Sequence, residues 1–156
     1  MKTVRLEVTL DQAQAIAEAL DLYTRIGLGQ LEEITDLVRS GMIPMHVTSP
    51  KGSYGDPVLP SIEVCEQVEA LMKRVRGALG FEPGCSRGVG HPHNPIATTR
   101  SYEIMKVLNK VLAEARDPNP RFRGVNYDGL GPRYTRDPAP RAWVEESDQA
   151  PSSSTK

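Results

Sequence analysis

Hydrophobic positions in this chain change period near Leu10, and the expected element changes with them. Val4, Leu6, Val8 and Leu10 alternate with Thr3, Arg5, Glu7 and Thr9, the spacing of a half-buried β-strand. From there the spacing turns helical. Thr9 and Gln12 stand at capping-box distance and Asp11 puts a negative charge in the first turn. Ala13, Ile16, Leu20 and Tyr23 then fall on one face. Gly27 and Gly29 interrupt the stripe, which Leu31, Ile34, Leu37 and Val38 resume until Gly41. Each glycine weakens a helix by about 1 kcal/mol, so the pattern predicts two helices or one kinked one.

Pro44, Pro50, Pro57 and Pro60 break up residues 42–60, with room for a short strand near Met45–Thr48. Val64, Val68, Leu71, Met72, Val75 and Leu79 define the clearest helix, and Gly80 supplies its stop. Residues 81–97 form a loop rich in Gly, His and Pro. A further helix is expected over 99–115, with Ile104, Leu108, Val111 and Ala115 facing inward. Past Asp117 the pattern is extended, and Asp128-Gly129 favours a hairpin turn. The expected architecture is α+β: an N-terminal strand, three to four helices, long Gly/Pro-rich loops and a small C-terminal β-hairpin. One domain covers 1–145, and the polar 146–156 reads as a disordered tail.

Composition sharpens this picture in one respect. Glycine and proline together make up 26 of 156 residues, one in six against a norm of about 12%. All but three fall in 41–60, 77–95 and 118–140, so they mark structured loops between helices. No apolar run approaches the ~18 residues of a membrane span. The first ten residues lack the continuous apolar core of a signal peptide. Cys65 and Cys85 belong to no paired framework, which makes a reducing cytosol the expected compartment.

The net charge is −1, yet residues 80–141 carry ten Lys/Arg against six Asp/Glu, and eight of the ten cations are arginine. Arg121, Arg123, Arg133 and Arg136 are interleaved there with Phe122, Tyr127 and Tyr134, with Asn126 and Asp128 among them. Guanidinium groups suit phosphates, ring faces suit a purine, and an amide or carboxylate suits ribose hydroxyls. That mixture fits a compact nucleotide better than a duplex. The competing reading has the same arginines salt-bridging acidic helix faces while the rings fill a thin core.

Other constellations are weaker. His91 and His93 form a His-x-His pair near Cys85, but a further ligand at familiar spacing is missing, so no metal is expected. Gly27-Leu28-Gly29 follows a helix, which is the wrong context for a dinucleotide fingerprint. It reads as a tight helix corner, or as a contact with a second subunit. Cys65 lies in a predicted helix as a buried thiol. No catalytic apparatus assembles, and neither catalytic residues nor a cofactor is expected.

The stretch Ala19-Leu20-Asp21-Leu22-Tyr23-Thr24-Arg25-Ile26-Gly27-Leu28-Gly29-Gln30-Leu31-Glu32-Glu33-Ile34 resembles small phage-encoded proteins, as does Asp117-Pro118-Asn119-Pro120-Arg121-Phe122-Arg123-Gly124-Val125-Asn126-Tyr127-Asp128-Gly129. The chain is similar in pattern and order to the Thoeris anti-defence sponges, over about a third of its length. That resemblance implies an α+β homo-oligomer in the host cytosol that holds a cyclic ADP-ribose signal without cleaving it. Its ligand sites would be arginine-rich and lie between subunits. Arg121, Arg123, Asp128 and Arg133 are the implied ligand-binding residues, joined by Tyr127 and Asn94. The alternatives are a nucleotide hydrolase using His91 or His93 and an inhibitor that binds a host protein. Neither a membrane nor nucleic acid is an expected partner.

Overall fold

Helix α1 (Leu10–Gly27) begins where its capping residues place it. In the computed structural model, which describes residues 2–48, 54–82 and 84–145, the Gln12 N–H donates to Thr9 Oγ1 at 3.2 Å. In return the Thr9 N–H donates to Gln12 Oε1 at 2.9 Å. Helix α2 (Glu32–Arg39) follows after the glycine break, so the interrupted stripe is two helices. Strands β1 (Met45–Thr48) and β2 (Tyr54–Val58) pair antiparallel, Met45 opposite Val58 and His46 opposite Pro57. A two-stranded sheet has only edges, and an edge is where a strand tolerates proline. Helix α3 (Ile62–Ala78) is capped by Ser61 and leaves through Gly80 at φ +79°. Helix α4 (Ile96–Arg116) is the longest, and a single 3₁₀ turn (Val125–Tyr127) comes after it.

Helix α1 packs on α4, α2 packs on α3, and the 3₁₀ turn rests on α4. The glycines at the α1–α2 corner make two of these approaches close. A Cβ at Gly27 would lie 2.8 Å from Thr98 Cγ2, and one at Gly29, where φ is +87°, would lie 2.5 Å from Phe81 Cζ. Arg25 ties the corner together, donating to Asp21 at 2.6 Å and to Glu33 at 2.7 Å. The Asp21 hydrogen bond, helped by Glu33, raises its pKa further against the cost of burial. Hence the Tyr23–Gln30 stretch serves packing within the chain.

Three expectations are corrected. The fold is mostly helical, and its one sheet among the described residues is the central β1–β2 hairpin. Residues 2–9 form no strand: β1 and β2 pair only with each other, and an alternating segment without a neighbouring edge has no ladder to join. Residues 117–129 form no C-terminal hairpin, because their polar groups bond to α4 and to one another. On α4 itself, Ile104 and Ala115 face outward. Thr98, Ser101, Met105 and Leu112 are buried, and so is Glu103. The proposed tail 146–156 lies outside the described residues.

The apolar core is small, centred on Ala17, Leu28, Leu31, Val38, Met105 and Leu112. Leu71, Val75 and Leu79, which stripe α3 at four-residue spacing, remain exposed. No helix among the described residues is long and apolar enough to cross a membrane.

Candidate functional site

Helix α4 is the spine on which the late segments are laid. Its C-terminal half carries residues 117–129. Lys106 Nζ donates to the Val125 carbonyl at 2.8 Å, and the Tyr127 hydroxyl donates to the Asp117 carbonyl at 3.1 Å. Gly129, at φ +65°, sits so close that a Cβ there would lie 2.8 Å from Lys110 Cδ. Held this way, the segment turns Arg121, Phe122 and Arg123 to solvent, and Phe122 is 81% exposed. The Arg121 guanidinium lies over the Phe122 ring, 5.6 Å from its centre. Asp128 is exposed at the end of the 3₁₀ turn.

Arg133 is positioned from the middle of α4. Glu103, 2% exposed, accepts the N–H of Tyr134, the N–H of Thr135 and the hydroxyl of Thr135, each at 2.8 Å. Burial alone would raise the Glu103 pKa. The Thr135 and Tyr134 hydrogen bonds, with the nearby positive charge of Arg133, outweigh it and hold the carboxyl below its ordinary range. Beside it Arg100 grips Asp137 through two hydrogen bonds, which lower the Asp137 pKa. Tyr134 packs against Gly90, where a Cβ would meet its ring at 2.7 Å.

Arg121, Arg123, Tyr127 and Asp128 therefore belong to one segment that packs on α4. Arg133 branches from a point one to two turns nearer the start of α4, about 5–10 Å along the axis. Asn94 stands apart. Its amide donates to the carbonyls of Gly88 and Val89 at 2.8 and 2.9 Å, and it precedes the start of α4 at Ile96, which is about 15 Å of helix away from Lys106. Asn94 is a staple of the 88–94 turn. Lys106 and Lys110 are the cations that the sequence reading passed over. The return of 117–129 onto α4 brings Lys106 to Val125 and Lys110 to Gly129.

Among the described residues, Arg121, Arg123, Arg133 and Arg136 make no salt bridge, whereas Arg25, Arg39, Arg76 and Arg100 all do. Arg133 nevertheless sits close enough to lend its positive charge to Glu103 and Asp137.

His91 and His93 are exposed with ring centres 5.5 Å apart, and the His93 N–H donates to His91 Nδ1. Among the described residues they join no group of three or more metal-ligating side chains. Two clefts lie elsewhere. One, of about 150 Å³, is lined by Arg100, Glu103, Ile104, Asp137, Pro138 and Pro140. The other, of about 300 Å³, presents Glu32, Asp36 and Glu69 with Arg39 and Thr35. The first is small for a nucleotide, for which pockets of roughly 300–1,000 Å³ are usual, and the second would repel an anion. The Arg121–Arg123 region is a surface, to be covered only by something laid over it. No protein-family model, no curated protein and no solved structure matches this chain.

Proposed function

We propose that this chain is a phage anti-defence protein that binds a cyclic nucleotide signal of the cyclic ADP-ribose type and holds it without cleavage, as a homo-oligomer in the host cytosol. The observation that carries the reading is the exposed trio Arg121, Phe122 and Arg123, free of salt bridges among the described residues. Two guanidinium groups match a diphosphate, and the exposed Phe122 ring, on which Arg121 stacks, matches a purine. Asp128 supplies an acceptor for ribose hydroxyls, and Arg133 extends the cationic surface toward the middle of α4.

The same geometry supports an oligomer. A surface without a pocket binds a small molecule tightly only when a second surface closes over it, and sequestration requires most of the ligand to be covered. The small core and the exposed Leu71, Val75 and Leu79 also leave apolar area for a neighbour. Sequestration needs no general base.

The test is retention. The protein is incubated with cyclic ADP-ribose isomers, freed of unbound ligand and heat-denatured, and the supernatant is analysed. Release of the intact cyclic nucleotide supports the reading. Recovery of linear ADP-ribose would replace it with hydrolysis, for which His91 and His93 are the acid–base candidates. Absence of any nucleotide would remove it.

A further inference from the structure

The first ten residues carry a strand pattern without a strand, and the missing edge has an address. We infer that residues 3–9 of two copies pair with each other as a two-fold antiparallel ribbon, forming a homodimer interface. The inference builds on the oligomer reading above and is independent of which ligand is bound.

Three observations support it. Among the described residues, no main-chain hydrogen bond joins residues 2–8 to any backbone group, so their N–H and C=O groups are available to a ladder. Val4 and Leu6 are 95% and 68% exposed, with Val8 and Leu10 also open to solvent. That is an apolar face open at Val4 and Leu6 and partly covered at Val8. The third observation is the charge order Thr3-Val4-Arg5-Leu6-Glu7-Val8-Thr9, which is self-complementary about Leu6. In an antiparallel pair centred there, Leu6 meets Leu6 and Val4 meets Val8 on one face. On the other face Arg5 meets Glu7 twice, and Thr3 meets Thr9. Opposite charges directly across a ladder stabilise it and like charges oppose it. A parallel pair in register would set Arg5 against Arg5 and Glu7 against Glu7, so the sequence selects the antiparallel arrangement.

Within one copy, Arg5 already contacts Glu7 at 3.4 Å and Glu145 at 3.2 Å, with its guanidinium 5.9 Å from the Trp143 ring centre. These contacts are on the polar face and leave the apolar face free. The α1 cap ends the ribbon: the Thr9 N–H is already given to Gln12. Two such segments side by side cover Val4, Leu6 and Val8 of both chains and satisfy the free backbone groups, the recurring logic of strand addition.

The full chain is tested by sedimentation equilibrium. The wild type is expected to be a dimer, and Leu6→Asp a monomer with unchanged helical circular dichroism. Arg5→Glu and Glu7→Arg should each weaken dimerisation about tenfold or more by setting like charges opposite each other. The double variant R5E/E7R should recover it to within a few-fold. No recovery in the double variant would overturn the ribbon while leaving another oligomer interface standing. A wild type that stays monomeric at its highest soluble concentration would overturn both. In a Cys85→Ser background, Leu6→Cys should form an interchain disulfide on mild oxidation, since facing Cα atoms in such a ladder are ~4.5–5.5 Å apart. Failure to cross-link would place the two Leu6 residues apart and overturn the arrangement.

Discussion

Thr135 gives both its backbone N–H and its hydroxyl to the carboxylate of Glu103, each at 2.8 Å. With the N–H of Tyr134 added, a buried charge on α4 holds the segment that carries Arg133. Hydrogen bonds to charged groups contribute about 1.5–3 kcal/mol each and are costly to leave unmade. Glu103→Gln should therefore lower stability by about 2–3 kcal/mol, read as a drop in urea midpoint without a change in slope.

The same residue gives stability a pH dependence. Its folded pKa is lowered relative to the unfolded chain. The stabilisation is therefore complete above the unfolded glutamate value of about 4.3 and is lost as the pH falls through the lower folded value. Wild type and E103Q should differ at neutral pH and converge under acid. A difference that persists unchanged in strong acid would contradict the assignment.

Gly29 and Phe81 give a coupled prediction. At φ +87° an added Cβ is strained whatever its surroundings, and the Phe81 ring already occupies its place. Gly29→Ala should cost about 2–4 kcal/mol, combining backbone strain with overpacking. In a Phe81→Ala background the penalty should shrink to the backbone part, about 1–2 kcal/mol. A double-mutant cycle on chemical denaturation measures the difference.

Arg76 is buried on α3. It donates to Glu32 on α2 and to the carbonyls of Glu82 and Cys85. One side chain thus joins α2, α3 and the loop that follows. Because Glu32 is 37% exposed it can rehydrate when abandoned, so Arg76→Ala should cost somewhat less than a fully buried pair, about 2–3 kcal/mol. Limited proteolysis should show residues 81–90 cut faster than in the wild type.

What was legible in the sequence was local. The Thr9–Gln12 cap, the stops at Gly41 and Gly80 and the strand at Met45–Thr48 depend on neighbours within a few residues, and each is found where its pattern put it. The N-terminal alternation from Val4 to Leu10 is just as regular, but a strand exists only beside another strand. No strand edge of the described residues lies beside it, so it forms none. Gly129 takes the positive φ but Asp128 stays at φ −71°, and with Lys106 bonded to Val125 the segment lies on α4 and no hairpin forms. Glu103 could not be recognised as buried, since its three donors come from more than thirty residues away, while Ile104 beside it faces out. Among the candidate site residues, Arg121, Arg123 and Asp128 lie close in sequence and are all exposed. Asn94 was grouped with them by chemistry alone and serves its own loop.

Calorimetric titration of a cyclic ADP-ribose isomer into the wild type and into the Arg121→Ala/Arg123→Ala variant puts the binding surface to the test. The expected result is stoichiometric binding by the wild type and a loss of at least a hundredfold in the variant. Two charge-assisted contacts of about 1.5–3 kcal/mol each correspond to a loss of that order. Helical circular dichroism should be the same for both, because neither arginine forms a salt bridge among the described residues. No binding of any cyclic ADP-ribose isomer by the wild type, or equal binding by the variant, would contradict the assignment of this surface.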